Sequence, residues 1–428
     1  MKKAIVVGSG AGGATVAKEL QGRFQVMVLE AGRAFHPFSA NLSLIETIKK
    51  TGLLFDEKLI QIIFPVMRIK RAADKMILVN GIGHGGTTTI CAGNAVRKDE
   101  DLKAIGIDLD VEFQELSREI PVSSEHQKKW HDQTKQVFAI CRDMGLQPVP
   151  TPKMADLERC TGCGKCVLGC ARGAKWDARS FLIQALEKGA EIVSECKVQK
   201  VVVEHKRAAG VEAVTGWRTK FYPADLVVLA AGGLGTPVIL QNSGIECKTN
   251  LFVDPVLCVA ARIHGSRQNR EIPMPFIVQR ENYIISPYFD FLSFFFNRDW
   301  KCPPTDIFSL MIKLADSNTG SISNTRIGKS LTHKDQDNLK EGVGLCTEIF
   351  RRLGIRSDDL FLGTINAGHP GGMLPLTESE ARTLHNAQLP ENFYVSDASL
   401  FPRSLGNPPI LTIAAMSKRI SKLCLKNA

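Results

Sequence analysis

Four cysteines fall in one short stretch, Cys160, Cys163, Cys166 and Cys170, with the spacing C-x-x-C-x-x-C-x-x-x-C. Thiolates are the ligands of iron–sulfur centres, and this spacing is that of a ferredoxin-type ligand run. Gly162, Gly164 and Gly169 let such a loop wrap a bulky inorganic core. Zinc is the competing reading, although zinc prefers two separated pairs of ligands. The residue after Cys170 is Ala171, not the proline that often follows such runs, and there is one run only. All four cysteines binding one [4Fe-4S] cluster, a distant Cys141 or Cys196 completing it, and a three-iron cluster all stay open.

A second constellation opens the chain. Gly8-Ser9-Gly10-Ala11-Gly12-Gly13 fits G-x-G-x-x-G directly after the apolar run Ala4 to Val7 and before a helical pattern. Gly8 permits the tight turn, Gly10 lets the backbone approach a pyrophosphate, and Gly13 lets helix and strand pack closely. The helix N-terminus faces the phosphate charge. Glu30, about twenty residues on, is placed to accept hydrogen bonds from an adenosine ribose. The motif alone leaves FAD and NAD open. Glu30-Ala31-Gly32 and the second glycine turn in Leu226 to Gly235 favour FAD.

The elements that position these residues read as an α/β chain. Ala4 to Val7 is a buried strand, Ala14 to Leu20 a helix and Gln25 to Glu30 a second strand, which makes a βαβ opening. Leu102 to Met144 reads as helical, Arg179 to Lys188 as helix, Glu191 to Glu204 as strand-rich and Leu226 to Ala231 as another apolar strand. Tyr394 to Val395 and Ile410 to Leu423 read as strand, loop and closing helix. The aromatic run Tyr288 to Phe296 reads either as a substrate wall or as core packing.

Composition bounds the partners. With 44% hydrophobic and 23% charged residues the chain is an ordinary folded protein. No signal-peptide pattern and no apolar run long enough to span a bilayer is expected, so the reading is cytoplasmic. Twelve cysteines then point to ligation or redox chemistry more than to disulfides. The formal charge of +10 is spread without a basic block, which argues against nucleic acid. It suits an acidic electron-carrier protein such as a ferredoxin, or peripheral contact with an anionic membrane. Arg159, Lys165, Arg172 and Lys175 crowd the cysteine run and would offset cluster charge.

Five blocks in this order resemble the glucose-methanol-choline (GMC) oxidoreductase family: GSGAGG at 8–13, GHGGTTT at 83–89, AAGGLGTPVILQNSG at 230–244, NAGHPGG at 366–372 and YVSDASLFPRSLGNPPILTIAAMSKRI at 394–420. The HPGG and NPP forms look most like the cholesterol-oxidase branch. The resemblance implies a Rossmann-like FAD-binding domain interleaved with a smaller α+β substrate domain. The expected parts are 1–100, 176–249 and 366–428 for FAD, 101–175 for a helical segment with the cluster loop, and 250–365 for the substrate cap. It further implies His369 as general base and Asn407 as its partner at the substrate oxygen. Gly85, Gly86 and Pro408 are expected at the cofactor, and Asp397 by the flavin's phosphoribityl chain. Cys91 stands where the family often has asparagine.

Together these features imply oxidation of a CH–OH group, with electrons leaving through a cluster to an external carrier. Reduction of a carbonyl or C=C bond by reversed flow, and an electron-transfer or redox-sensing subunit, are the rival expectations.

Overall fold

The computed structural model describes residues 1–37, 57–72, 76–323 and 326–427. Its centre is a five-stranded parallel sheet in the order Phe393–Val395, Leu226–Leu229, Lys3–Val7, Gln25–Leu29 and Glu191–Val193. Every neighbouring pair is parallel. Ala4, Ile5, Val6 and Val7 are all buried, as are all four residues of Leu226–Leu229. A strand covered on both faces reads as an unbroken apolar run, which is why these two were legible. The helix Ala11–Leu20 lies against the helices Arg179–Glu187 and Ile410–Lys426.

The helix begins at Ala11, so Gly12 and Gly13 already belong to its first turn. The middle of the chain is helical as expected, in the segments Glu100–Ala104, Asp110–Glu119 and Asp132–Asp143. An antiparallel three-stranded sheet, Cys196–Glu204, Arg207–Thr215 and Arg218–Pro223, follows the parallel strand Glu191–Val193.

A larger mixed sheet forms the second layer. Its centre is the antiparallel trio Val256–Arg262, Ile307–Leu314 and Tyr283–Pro287. The helix His333–Arg352 covers one face through Leu339, Cys346, Ile349 and Phe350, and is started by a reciprocal Thr332–Asp335 capping box. The aromatic run is core: Phe289, Phe291, Phe294 and Phe295 are buried with Trp300 in one cluster. Asp290 interrupts it because its carboxylate caps the helix Phe291–Phe296, accepting from the Leu292 N–H at 3.0 Å.

Candidate active site

The dinucleotide loop is shaped by close approaches that no side chain could share. Gly8 has φ of +95°, and a Cβ there would sit 2.5 Å from the Ala230 carbonyl oxygen. One on Gly13 would sit 1.9 Å from the Gly8 oxygen. Gly12, an unspecified position of the motif, is as constrained: its Cβ would lie 1.8 Å from the Ser396 oxygen. Gly10 differs, because the nearest atom to its Cβ position is the Gly86 Cα at 4.0 Å. Here the protein itself leaves room. Gly10 also caps the helix Ala11–Leu20 with no side-chain hydrogen bond, so its first N–H groups are available to a phosphate.

Glu30 is buried beside this turn. One carboxylate oxygen accepts from the Ser9 N–H at 2.9 Å and the Ser9 hydroxyl at 2.7 Å, and the other from the Gly32 N–H at 2.9 Å. Gly85 and Gly86 both have positive φ, and Gly86 meets Gly10 so closely that its Cβ would lie 2.9 Å from the Gly10 Cα. The two glycine turns therefore abut, which is a cradle fitting FAD.

Asp397 is buried, and its carboxylate accepts from the Gly232 N–H at 2.9 Å, the Thr236 hydroxyl at 2.5 Å and the Ser399 N–H at 2.9 Å. Burial pushes its pKa upward. It thus fixes the start of the helix Gly232–Asn242, against which the Pro370 carbonyl packs at Gly233. Gly371 in turn packs on the Ala398 carbonyl. These contacts fix the loop that carries His369.

His369 faces Asp254. Its Nδ1 is 3.5 Å from Asp254 Oδ2, a charge contact longer than an ordinary hydrogen bond. Asp254 is buried at a left-handed φ of +53°, and it accepts from Lys313 on one oxygen and Ser404 on the other. Burial works to raise the Asp254 carboxyl, but Lys313 and His369 outweigh it and leave it below the ordinary range. Burial and the Lys313 charge lower the His369 pKa, with Asp254 opposing. Both effects favour the neutral imidazole, the form a base requires.

Asn407 is 1% exposed and donates to Gln279 Oε1 at 3.2 Å, while its own Oδ1 is buried without a partner. Its loop is tied to the same carboxylate, since Gly406 N–H donates to Ser404 Oγ at 3.3 Å. Pro408 and Pro409 follow directly and end the loop at the helix Ile410–Lys426.

The four cysteines of the run line one cavity of about 270 Å³, with Lys153, Lys175 and Ile272 in its wall. Neither Cys141 nor Cys196 lines it; they are buried in separate cores. Gly164 and Gly169 let the loop pack, since a Cβ would meet the Asn269 oxygen at 2.2 Å or the Phe35 ring at 2.4 Å. Among the described residues, no three His, Cys, Asp or Glu side chains gather round a single metal-ion position. Burial pushes the Cys166 thiol up to about 12 against the pull of Lys175 and Lys153.

The two sites share one element. The 3-10 helix Gly86–Ile90 begins at the Gly10 contact, and its Thr88 and Thr89 carbonyls, with that of Cys91, accept from Lys175 Nζ at 2.9–3.0 Å. The same ammonium donates to the Cys166 carbonyl at 3.1 Å. Five residues of 3-10 helix span about 10 Å.

The family model described as GMC oxidoreductase matches residues 3–258. The chain belongs to the GMC oxidoreductase family. It is an FAD-dependent oxidoreductase acting on CH–OH donors. The uncharacterized protein MJ1450 of Methanocaldococcus jannaschii is 27% identical over 418 residues, covering 97% of both chains. An uncharacterized GMC-type oxidoreductase of Mycobacterium tuberculosis, Rv0492c, is 31% identical over 268 residues, 56% of this chain and 39% of its own length. Long-chain-alcohol oxidase FAO4B of Arabidopsis thaliana is 28% identical over 289 residues, 59% of this chain and 36% of its own. The matches thus cover less than two fifths of the length of the mycobacterial and plant proteins. Pyridoxine 4-oxidase from Mesorbium loti superposes with a TM-score of 0.73 at 14% identity, over 99% of each chain, which shows the shared fold.

Proposed function

We propose that this GMC oxidoreductase is a dehydrogenase for a hydrophobic alcohol that returns its electrons through an iron–sulfur cluster in the cysteine cavity. The observation that carries the reading is the Gly86–Ile90 helix, which touches the dinucleotide turn at one end and Lys175 with Cys166 at the other.

FAD, held by Gly8, Gly10, Gly13, Glu30, Gly85, Gly86 and Pro408, supplies the hydride acceptor. Nδ1 of His369 faces Asp254, so Nε2 is the atom that takes the hydroxyl proton as the carbinol hydrogen departs with its electron pair. Asn407 would hold the substrate oxygen through the second N–H of its buried Nδ2, the first being given to Gln279. The apolar character of the substrate rests on the plant relatives, which are long-chain-alcohol oxidases; the aromatic run does not contribute.

A [4Fe-4S] or three-iron cluster on Cys160, Cys163, Cys166 and Cys170 supplies single-electron transfer. The cavity is roughly twenty times the space one water needs, which suits an inorganic core better than one zinc ion. Exposed Cys163, with exposed Arg159 and Arg172 nearby in the wall, gives an acidic carrier protein such as a ferredoxin a basic face to dock on.

The test is anaerobic purification followed by metal, sulfide and flavin analysis, with Cys166→Ser as the control. We expect flavin with about four irons and four sulfides per chain. In Cys166→Ser, alcohol should still bleach the flavin while transfer to an oxidised ferredoxin-type carrier is lost. Zinc without labile sulfide, or carrier reduction unaffected by Cys166→Ser, removes the cluster from the reading.

A further inference from the structure

Five lysines are buried among the described residues: Lys153, Lys175, Lys313, Lys329 and Lys418. Three have carboxylate partners, Asp254 for Lys313, Asp316 for Lys329, and Glu19 with Glu119 for Lys418. Lys153 and Lys175 have none, and both line the cysteine cavity. Lys175 Nζ is received by the main-chain oxygens of Thr88, Thr89, Cys91 and Cys166. Lys153 Nζ is received by the Asn94 side-chain oxygen and by the Pro273 carbonyl at 2.6 Å. Carbonyl dipoles solvate an ammonium but leave its net charge in place. Burial pushes the Lys153 ammonium down to about 7, so a negative charge inside the cavity is what would keep both lysines charged there.

We infer that Lys153 and Lys175 are the built-in counter-charges of an anionic thiolate-ligated cluster and that they raise its midpoint potential. The inference rests on the cluster reading above and assigns the two lysines a role in tuning it. Reduction adds one negative charge to the cluster. Two ammonium groups fixed in a low-dielectric wall favour that added electron, and charge near the centre is one of the levers that set such potentials. The lysines act on the cluster through their charge and are positioning residues.

The experiment is a redox titration of the anaerobically purified holoprotein, followed by electron paramagnetic resonance, for wild type, Lys153→Met and Lys153→Arg. At the wild-type midpoint, Lys153→Met should lower the reduced-to-oxidised ratio at least tenfold, about 59 mV for a one-electron couple. Lys153→Arg, which keeps the charge, should stay within about threefold. A Met variant with wild-type iron and sulfide that titrates at the wild-type potential overturns the inference. If Met loses iron while Arg keeps it, with flavin absorbance intact in both, charge is what retains the anion and the inference stands. If both lose iron, charge is not the requirement and the inference falls. Wild-type protein without iron and sulfide sinks the cluster itself, before any lysine is changed.

Discussion

Asp254 Oδ2 lies 3.5 Å from Nδ1 of His369 and at the same time accepts from the Lys313 ammonium. One buried carboxylate thus sits between the proposed base and a buried cation. The imidazole feels Asp254 and Lys313 with opposite signs, and Nε2 is the nitrogen the proposed reaction would use.

His369→Ala should therefore retain flavin but lose substrate-dependent bleaching by about 10²–10⁴-fold, the contribution typical of a positioned general base. Stopped-flow absorbance under anaerobic conditions measures it. Loss of less than about threefold would assign the base elsewhere.

The acid limb of kcat/KM should lie below the ordinary histidine value of 6.5, because burial and Lys313 lower the His369 pKa and the neutral form is the active one. Lys313→Met removes a lowering charge, so the limb should move to higher pH. Asp254→Asn removes the opposing charge, so it should move to lower pH. Kinetics across pH 4–9 check both directions; shifts of the same sign in the two variants contradict the arrangement.

Gly10 and Gly13 should separate cofactor from fold. A methyl on Gly13 meets the Gly8 oxygen at 1.9 Å, so Gly13→Ala should lower Tm even without flavin. Gly10→Ala meets nothing of the protein closer than 4.0 Å, so the flavin-free Tm should hold while FAD affinity falls at least tenfold. Calorimetry and flavin fluorescence titration on the stripped protein distinguish the two.

Phe295→Ala should cost about 3–5 kcal/mol of stability, as for a fully buried core aromatic. Its effect on kcat/KM should be small beside that. Denaturant unfolding and steady-state kinetics compared on one preparation give both numbers; a large kinetic effect with unchanged stability would return the aromatic run to the substrate wall.

The parallel sheet was legible because its strands are short unbroken apolar runs next to glycine turns, and Glu30 because it ends one of them. The run of Tyr288 to Phe296 was ambiguous, since core and lid have the same composition and only partners from distant segments, such as Phe64 and Met311 in the same buried cluster, decide between them. Asp254 and Lys313 were not singled out at all. They are 59 residues apart, and a charged residue on a strand ordinarily marks a solvated face. Lys153 was hidden in the same way: nothing local reports that Asn94 and Pro273, from two distant segments, close over it. Gly12 carried no signal beyond its neighbours, because the Ser396 carbonyl that excludes a side chain arrives from the other end of the chain.

The stretch from Gly86 to Cys91 ties the proposed cofactor chamber to the cysteine chamber, abutting Gly10 at one end and holding Lys175, a wall residue of the cysteine cavity, at the other. Its length is consequently set from two directions. Adding or deleting a residue there would misalign the glycine contact and the Lys175 carbonyl cage in a single stroke, so the two chambers can be reshaped around this stretch but not through it.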